Sequence, residues 1–74
     1  MTQRTLRSDL AGTVFRIAAA EGEAVAGDQE ILVLESMKME IPVLAPCSGR
    51  LLKILVNVGD VVHEGQELAA IEPC

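Results

Sequence analysis

The sequence predicts an all-β sandwich or barrel, and three observations predict it. Short apolar runs recur at even intervals between Gly and acidic turn residues, the spacing of many short strands. The chain also repeats itself: an offset of 37 (49 − 12) pairs Gly12 with Gly49, Ile17 with Ile54, Gly22 with Gly59, Val25 with Val62, Gln29 with Gln66, Glu30 with Glu67 and Glu35 with Glu72. The one segment that competes as a helix, 29–40, is rich in Glu, Leu, Met and Lys. Its counterpart 66–72 is too short for a comfortable helix, and Pro42 soon interrupts the run.

The elements follow in order. A short strand is expected near 4–8. Gly12 opens a strand near 12–18, which ends at the Gly22-Glu23 turn, and Val25 marks a short strand near 24–26. Ile31 to Leu34 form the centre of a strand near 30–35, and Ile41, Val43 and Leu44 that of a strand near 39–44. Gly49 then opens the second copy, with strands near 49–56, 61–63 and 67–72 and the Gly59-Asp60 turn between the first two. Similar residues fill the gaps in the repeat, among them Val14 with Leu51, Ile31 with Leu68 and Leu34 with Ile71. Two copies this short cannot fold singly and are expected to complete one core between them. Asp28 stands where the second copy has Gly65, so a left-handed backbone is expected there, with Gly27 relaxing the turn.

Seventy-four residues make one domain, 1–74. Hydrophobic residues are 50% and charged residues 23%, a globular balance, and the single aromatic Phe15 leaves an aliphatic core. A net charge of −5 and the lack of stacking aromatics argue against nucleic acid as a partner. No apolar segment long enough to insert in a membrane is present. Cys47 and Cys74 are too few for a disulfide framework, so reduced thiols and a cytoplasmic location are expected.

Chemistry concentrates in Glu35-Ser36-Met37-Lys38-Met39-Glu40. These residues join two strand patterns at a turn with Lys38 near its tip, yet they contain none of the Gly, Asn or Asp that a tight hairpin recruits. Something other than turn stability selects them. Exposed flexible thioethers at Met37 and Met39 suit contact with several surfaces, while Glu35 and Glu40 also read as plain surface charges. His63 has no companion at ligand spacing, and no metal site is expected. Cys47 reads as a packed or turn residue and Cys74 as a terminal thiol. The two Gly-acid pairs read as turn punctuation.

The ESMKME run, set in this repeat with Ala45-Pro46-Cys47-Ser48-Gly49 and Val58-Gly59-Asp60-Val61-Val62 downstream, resembles the biotinyl domain of biotin-dependent carboxylases. The likeness runs from about Leu6 to Glu72. It implies a flattened barrel of two four-stranded antiparallel sheets related by quasi-twofold symmetry. It further implies covalent biotin on Lys38, flanked by Met37 and Met39, with Glu35, Ser36 and Glu40 completing the motif.

The resemblance implies a non-catalytic carboxyl carrier, monomeric when free. Its implied partners are a biotin protein ligase, a biotin carboxylase and a carboxyltransferase. The stretch Phe15–Val25 matches its repeat partner without a gap, which leaves no room for the thumb of some relatives, and a free-standing carrier of the thumbless type is expected. Three other readings compete. A lipoyl carrier shares the fold but typically presents Asp-Lys-Ala at the tip. An unmodified hybrid-barrel interaction module lacks the modifiable lysine. An enzyme using Lys38 as nucleophile needs a desolvated pocket.

Overall fold

Two runs of consecutive apolar residues, Ile31–Leu34 and Leu68–Ile71, are buried throughout, which a regular strand with alternating side chains cannot achieve. The computed structural model, which describes residues 3–73, shows how the backbone accommodates them. Eight strands form: β1 (Arg4–Arg7), β2 (Gly12–Ile17), β3 (Ala24–Val25), β4 (Glu30–Ser36), β5 (Met39–Leu44), β6 (Gly49–Ile54), β7 (Val61–Val62) and β8 (Glu67–Pro73). Along β4 the register passes from Glu30↔Leu44 to Leu32↔Val43, so Ile31 is an extra residue. Along β8 it passes from Arg7↔Glu67 to Leu6↔Ala69, so Leu68 is its counterpart. Each bulge turns two successive side chains inward. Val33 and Ala70 face outward in the middle of the rows Arg16–Val33–Pro42 and Thr5–Ala70–Lys53, flanked by long or bulky neighbours.

The strands make two antiparallel sheets, in the orders β1-β8-β6-β3 and β5-β4-β2-β7. Each sheet takes its two central strands from one half of the chain and its two edge strands from the other. The core follows the same exchange. One cluster joins Ala19, Val25 and Ile31 to Leu51, Ala69 and Ile71. The other joins Val56, Val62 and Leu68 to Val14, Leu32 and Leu34, which are the same positions moved by the repeat. Neither half can therefore bury its own apolar residues, and the expected shared core is observed.

The repeat extends to individual hydrogen bonds. Gly22 N–H donates to Leu51 O at 2.7 Å, and Gly59 N–H donates to Val14 O at 2.8 Å. The acids of the two Gly-acid turns close them alike: Glu23 accepts from Ala20 N–H at 3.0 Å, and Asp60 accepts from Asn57 N–H at 2.9 Å. The links 18–23 and 55–60 are thus equal in length and share these closing bonds, without an inserted thumb. Asp28 has φ 67° and Gly65 φ 84°, the shared left-handed position expected from the sequence.

Two expectations need correction. The strands expected to reach residues 18 and 56 stop at Ile17 and Ile54, because the chain there leaves its sheet and drops Ala19 and Val56 into the core. Gly27 does not relax the turn by a positive φ, which falls on Asp28 alone. Its N–H instead donates to Ser48 Oγ at 3.2 Å.

Gly12 and Gly49 are required for close approach rather than for a turn. A Cβ on Gly12 would stand 2.8 Å from Glu35 O, and one on Gly49 would stand 2.2 Å from Glu72 O. Both contacts are with backbone, which cannot swing aside. Gly49→Ala is expected to destabilise by about 2 kcal/mol or more, and Gly12→Ala by less. Urea midpoints of the two variants check the order, and an unchanged midpoint for Gly49→Ala would contradict the packing described.

Candidate functional site

The pairing of β4 with β5 continues to Glu35↔Glu40 and Ser36↔Met39, which leaves Met37-Lys38 as a two-residue loop. Met37 has φ 53° and Lys38 φ 65°. Positive φ at both central positions is the signature of the type I′ hairpin, whose twist matches that of the strands it joins and whose usual residues are Asn-Gly. A side chain in this conformation costs about 1–2 kcal/mol. The hairpin tolerates two such residues because its stem is an unbroken ladder from Leu32↔Val43 to the tip. The absence of Gly12's side chain also lets β2 press against the end of β4, with Ser36 Cβ 3.5 Å from where a Gly12 Cβ would be.

This arrangement puts Lys38 in solvent at the apex. Among the described residues the ion pairs are Arg7–Glu67 and Arg16–Glu30, so no carboxylate holds the Lys38 amine. Met37 is 91% exposed and Met39 63%, which rules out a core role for either. Ser36 is half-buried against Gly12 and serves the stem more than the tip. Glu35 and Glu40 stand directly opposite each other with no cation across from either. Like charges in that position destabilise a strand pair. The counterpart of Glu35 in the other half, Glu72, has Arg50 across from it where Glu35 has Thr13. All six motif residues are brought together, forming a strained, acidic-flanked hairpin with a free primary amine at its tip.

The remaining candidates lie elsewhere. His63 is exposed in a turn, where its backbone N–H donates to Gln66 Oε1 at 2.9 Å. Cys47 is a free thiol packed against the core, and Cys74 lies outside the described residues. Among the described residues no group of three or more His, Cys, Asp or Glu is placed to hold a metal ion. A groove of about 410 Å³ separates the open edges of β1 and β5, lined by Leu6, Leu34, Ile41 and Val43 with Arg4 and Arg7. Lys38 does not line it, so the desolvated surroundings that a nucleophilic lysine needs are missing.

The lack of Gly, Asn and Asp at the tip was legible in the sequence, but the positive φ at both Met37 and Lys38 and the confrontation of Glu35 with Glu40 were not. The signal was available in the two-residue spacing between Ser36 and Met39, once those two are recognised as a strand pair.

Comparison with known proteins places this hairpin in context. Residues 4–71 match the family model described as biotin-requiring enzyme. The chain is 39% identical over 66 residues to a biotinylated protein TB7.3 homolog of Mycobacterium leprae, covering 89% of this chain and 93% of that protein. A single-chain, multi-domain long-chain acyl-CoA carboxylase superposes with a TM-score of 0.92 at 36% identity, over 97% of this chain but 7% of that one. The lipoyl domain of the 2-oxoglutarate dehydrogenase complex of Azotobacter vinelandii gives a TM-score of 0.73 at 35% identity, covering 84% of this chain and 78% of that one.

The strain at the tip makes a prediction of its own. Met37→Asn/Lys38→Gly supplies the residues that a type I′ turn favours and is expected to stabilise the domain by about 1 kcal/mol, a rise in Tm of roughly 5 °C. Thermal melting followed by circular dichroism checks this. An unchanged or lowered Tm would show that the turn stores no strain.

Proposed function

The chain belongs to the biotin/lipoyl attachment family, as a carrier domain of the biotinyl type, and on that premise we propose that Lys38 is the residue that carries biotin. The observation that supports this is a single amine at the apex of a rigid type I′ hairpin, exposed and without an ion-pair partner among the described residues. A residue so presented can enter a ligase active site without unfolding its surroundings. Nζ forms an amide with the carboxyl carbon of an activated biotin, the bond to the activating group breaks, and the amine gives up its proton. One of the six cations is lost, and the net charge moves from −5 to −6.

When bound, biotin supplies a ureido nitrogen that takes up and releases a carboxyl group. The chain's own contribution is mechanical. The β4–β5 stem fixes the base of the arm, and the lysine side chain gives it reach. Met37 and Met39 offer adaptable apolar contact to the enzymes that receive the tip. Glu35 and Glu40 give it an acidic border. Tethering raises the effective concentration of the arm at each site it can span.

Related domains sit within carboxylases, which favours a biotin carboxylase and a carboxyltransferase as the partners served. A lipoyl arm is the weaker reading, because the tip is Met-Lys-Met and the likeness to the acyl-CoA carboxylase is the stronger one.

Incubation with a biotin protein ligase, biotin and ATP should add one biotinyl group to the wild type and none to Lys38→Arg, as read by intact mass. A biotin increment on Lys38→Arg, or no biotin increment on the wild type, would overturn the assignment.

A further inference from the structure

Beside the hairpin's sheet, Val58 and Val61 are 61% and 67% exposed, and nothing in the fold requires them to be apolar. The repeat provides the comparison. Their counterparts in the first half are Glu21 and Ala24, in a link and strand with the same backbone hydrogen bonds. Glu21 there uses its carboxylate to accept from Ile54 N–H at 2.9 Å. The scaffold is therefore satisfied by a small residue at one of these positions and a charged residue at the other. Only the copy that borders the hairpin's sheet carries two valines.

Their position ties them to the tip. Val61 is paired with Thr13, Thr13 with Glu35, and Glu35 with Glu40, so the four share one row on the outer face of the sheet. At about 4.8 Å per strand, Val61 stands about 10 Å from Glu35. Val58 follows on the same edge, in the turn that Asp60 N–H closes by donating to Asn57 O at 3.0 Å.

We propose that Val61 and Val58 form a docking surface for the enzyme that acylates Lys38, a partner with an apolar patch and a basic border. The inference rests on the carrier reading above. Before modification the arm is only a lysine side chain, so an enzyme that reacts with Nζ must press against the hairpin itself. A stable interface covers about 800 Å² per partner, a disc of about 16 Å radius, wide enough to take in the whole row from Glu40 to Val61, about 14 Å at three strand spacings. The valines are the apolar part of this patch, while Glu35 and Glu40 lie in the same row, complementary to a basic rim.

The test uses the whole chain with a purified biotin protein ligase, biotin and ATP, measuring initial rates against carrier concentration. Val58→Ala/Val61→Ala removes the apolar surface at two exposed positions without adding charge, so its melting temperature should stay close to the wild type. Its KM should rise about tenfold with kcat unchanged, the size of effect a buried interface residue gives. Val61→Thr keeps the β-branched shape and should raise KM by a smaller factor, which keeps the test valid if the double variant melts early. An unchanged KM in both variants, or a fall in kcat alone, would overturn the docking surface and leave the carrier reading intact. A wild type that takes no biotin would overturn both.

Discussion

Each half of this chain supplies the central strands of one sheet and the edges of the other, and that exchange governs everything else in the molecule. β4 and β2 from the first half are bordered by β5 and β7 from the second, while β8 and β6 are bordered by β1 and β3. An isolated half would leave the apolar runs Ile31–Leu34 or Leu68–Ile71 facing water. A domain this small has a narrow stability margin, and sharing one core between two copies lets purely aliphatic side chains fill it. The hairpin inherits its rigidity from this arrangement, because its stem includes a central strand that is bonded on both sides.

The quasi-twofold symmetry also makes its own exceptions informative. Where the halves agree, as at the Gly22 and Gly59 turns or the bulged Ile31 and Leu68, the residue serves the fold. Some of their differences lie at the end that carries the hairpin. Glu72 stands opposite Arg50, but Glu35 has Thr13 in that place and Glu40 on its other side. Ala24 becomes Val61, and the hairpin itself places two side chains at positive φ. The facing carboxylates and the positive φ values give up stability, and both lie in or beside the turn that carries Lys38. Local choices that conflict with stability mark functional sites more reliably than any single motif residue does.

Much of this was legible in the sequence for identifiable reasons. Apolar runs and turn residues placed all eight strands, and the short counterpart 66–72 with Pro42 decided strand over helix for 29–40. Asp28 was legible because its repeat partner is Gly65, which exposed a demand for left-handed backbone. The ends of β2 and β6 were misjudged, since Ala18 and Leu55 continue the apolar pattern while the chain is already crossing between sheets.

The sequence by itself determined the repeat, the strand order along the chain and a turn carrying Lys38 between two methionines, because these are local properties of side-chain pattern and spacing. Only the tertiary structure decided which strands became neighbours. The bulges at Ile31 and Leu68, the clearance around Gly12 and Gly49, and the row joining Val61 to Glu35 are relations between segments distant in sequence. Such relations depend on register, and register is set by how two faces pack against each other, which no single stretch of residues contains.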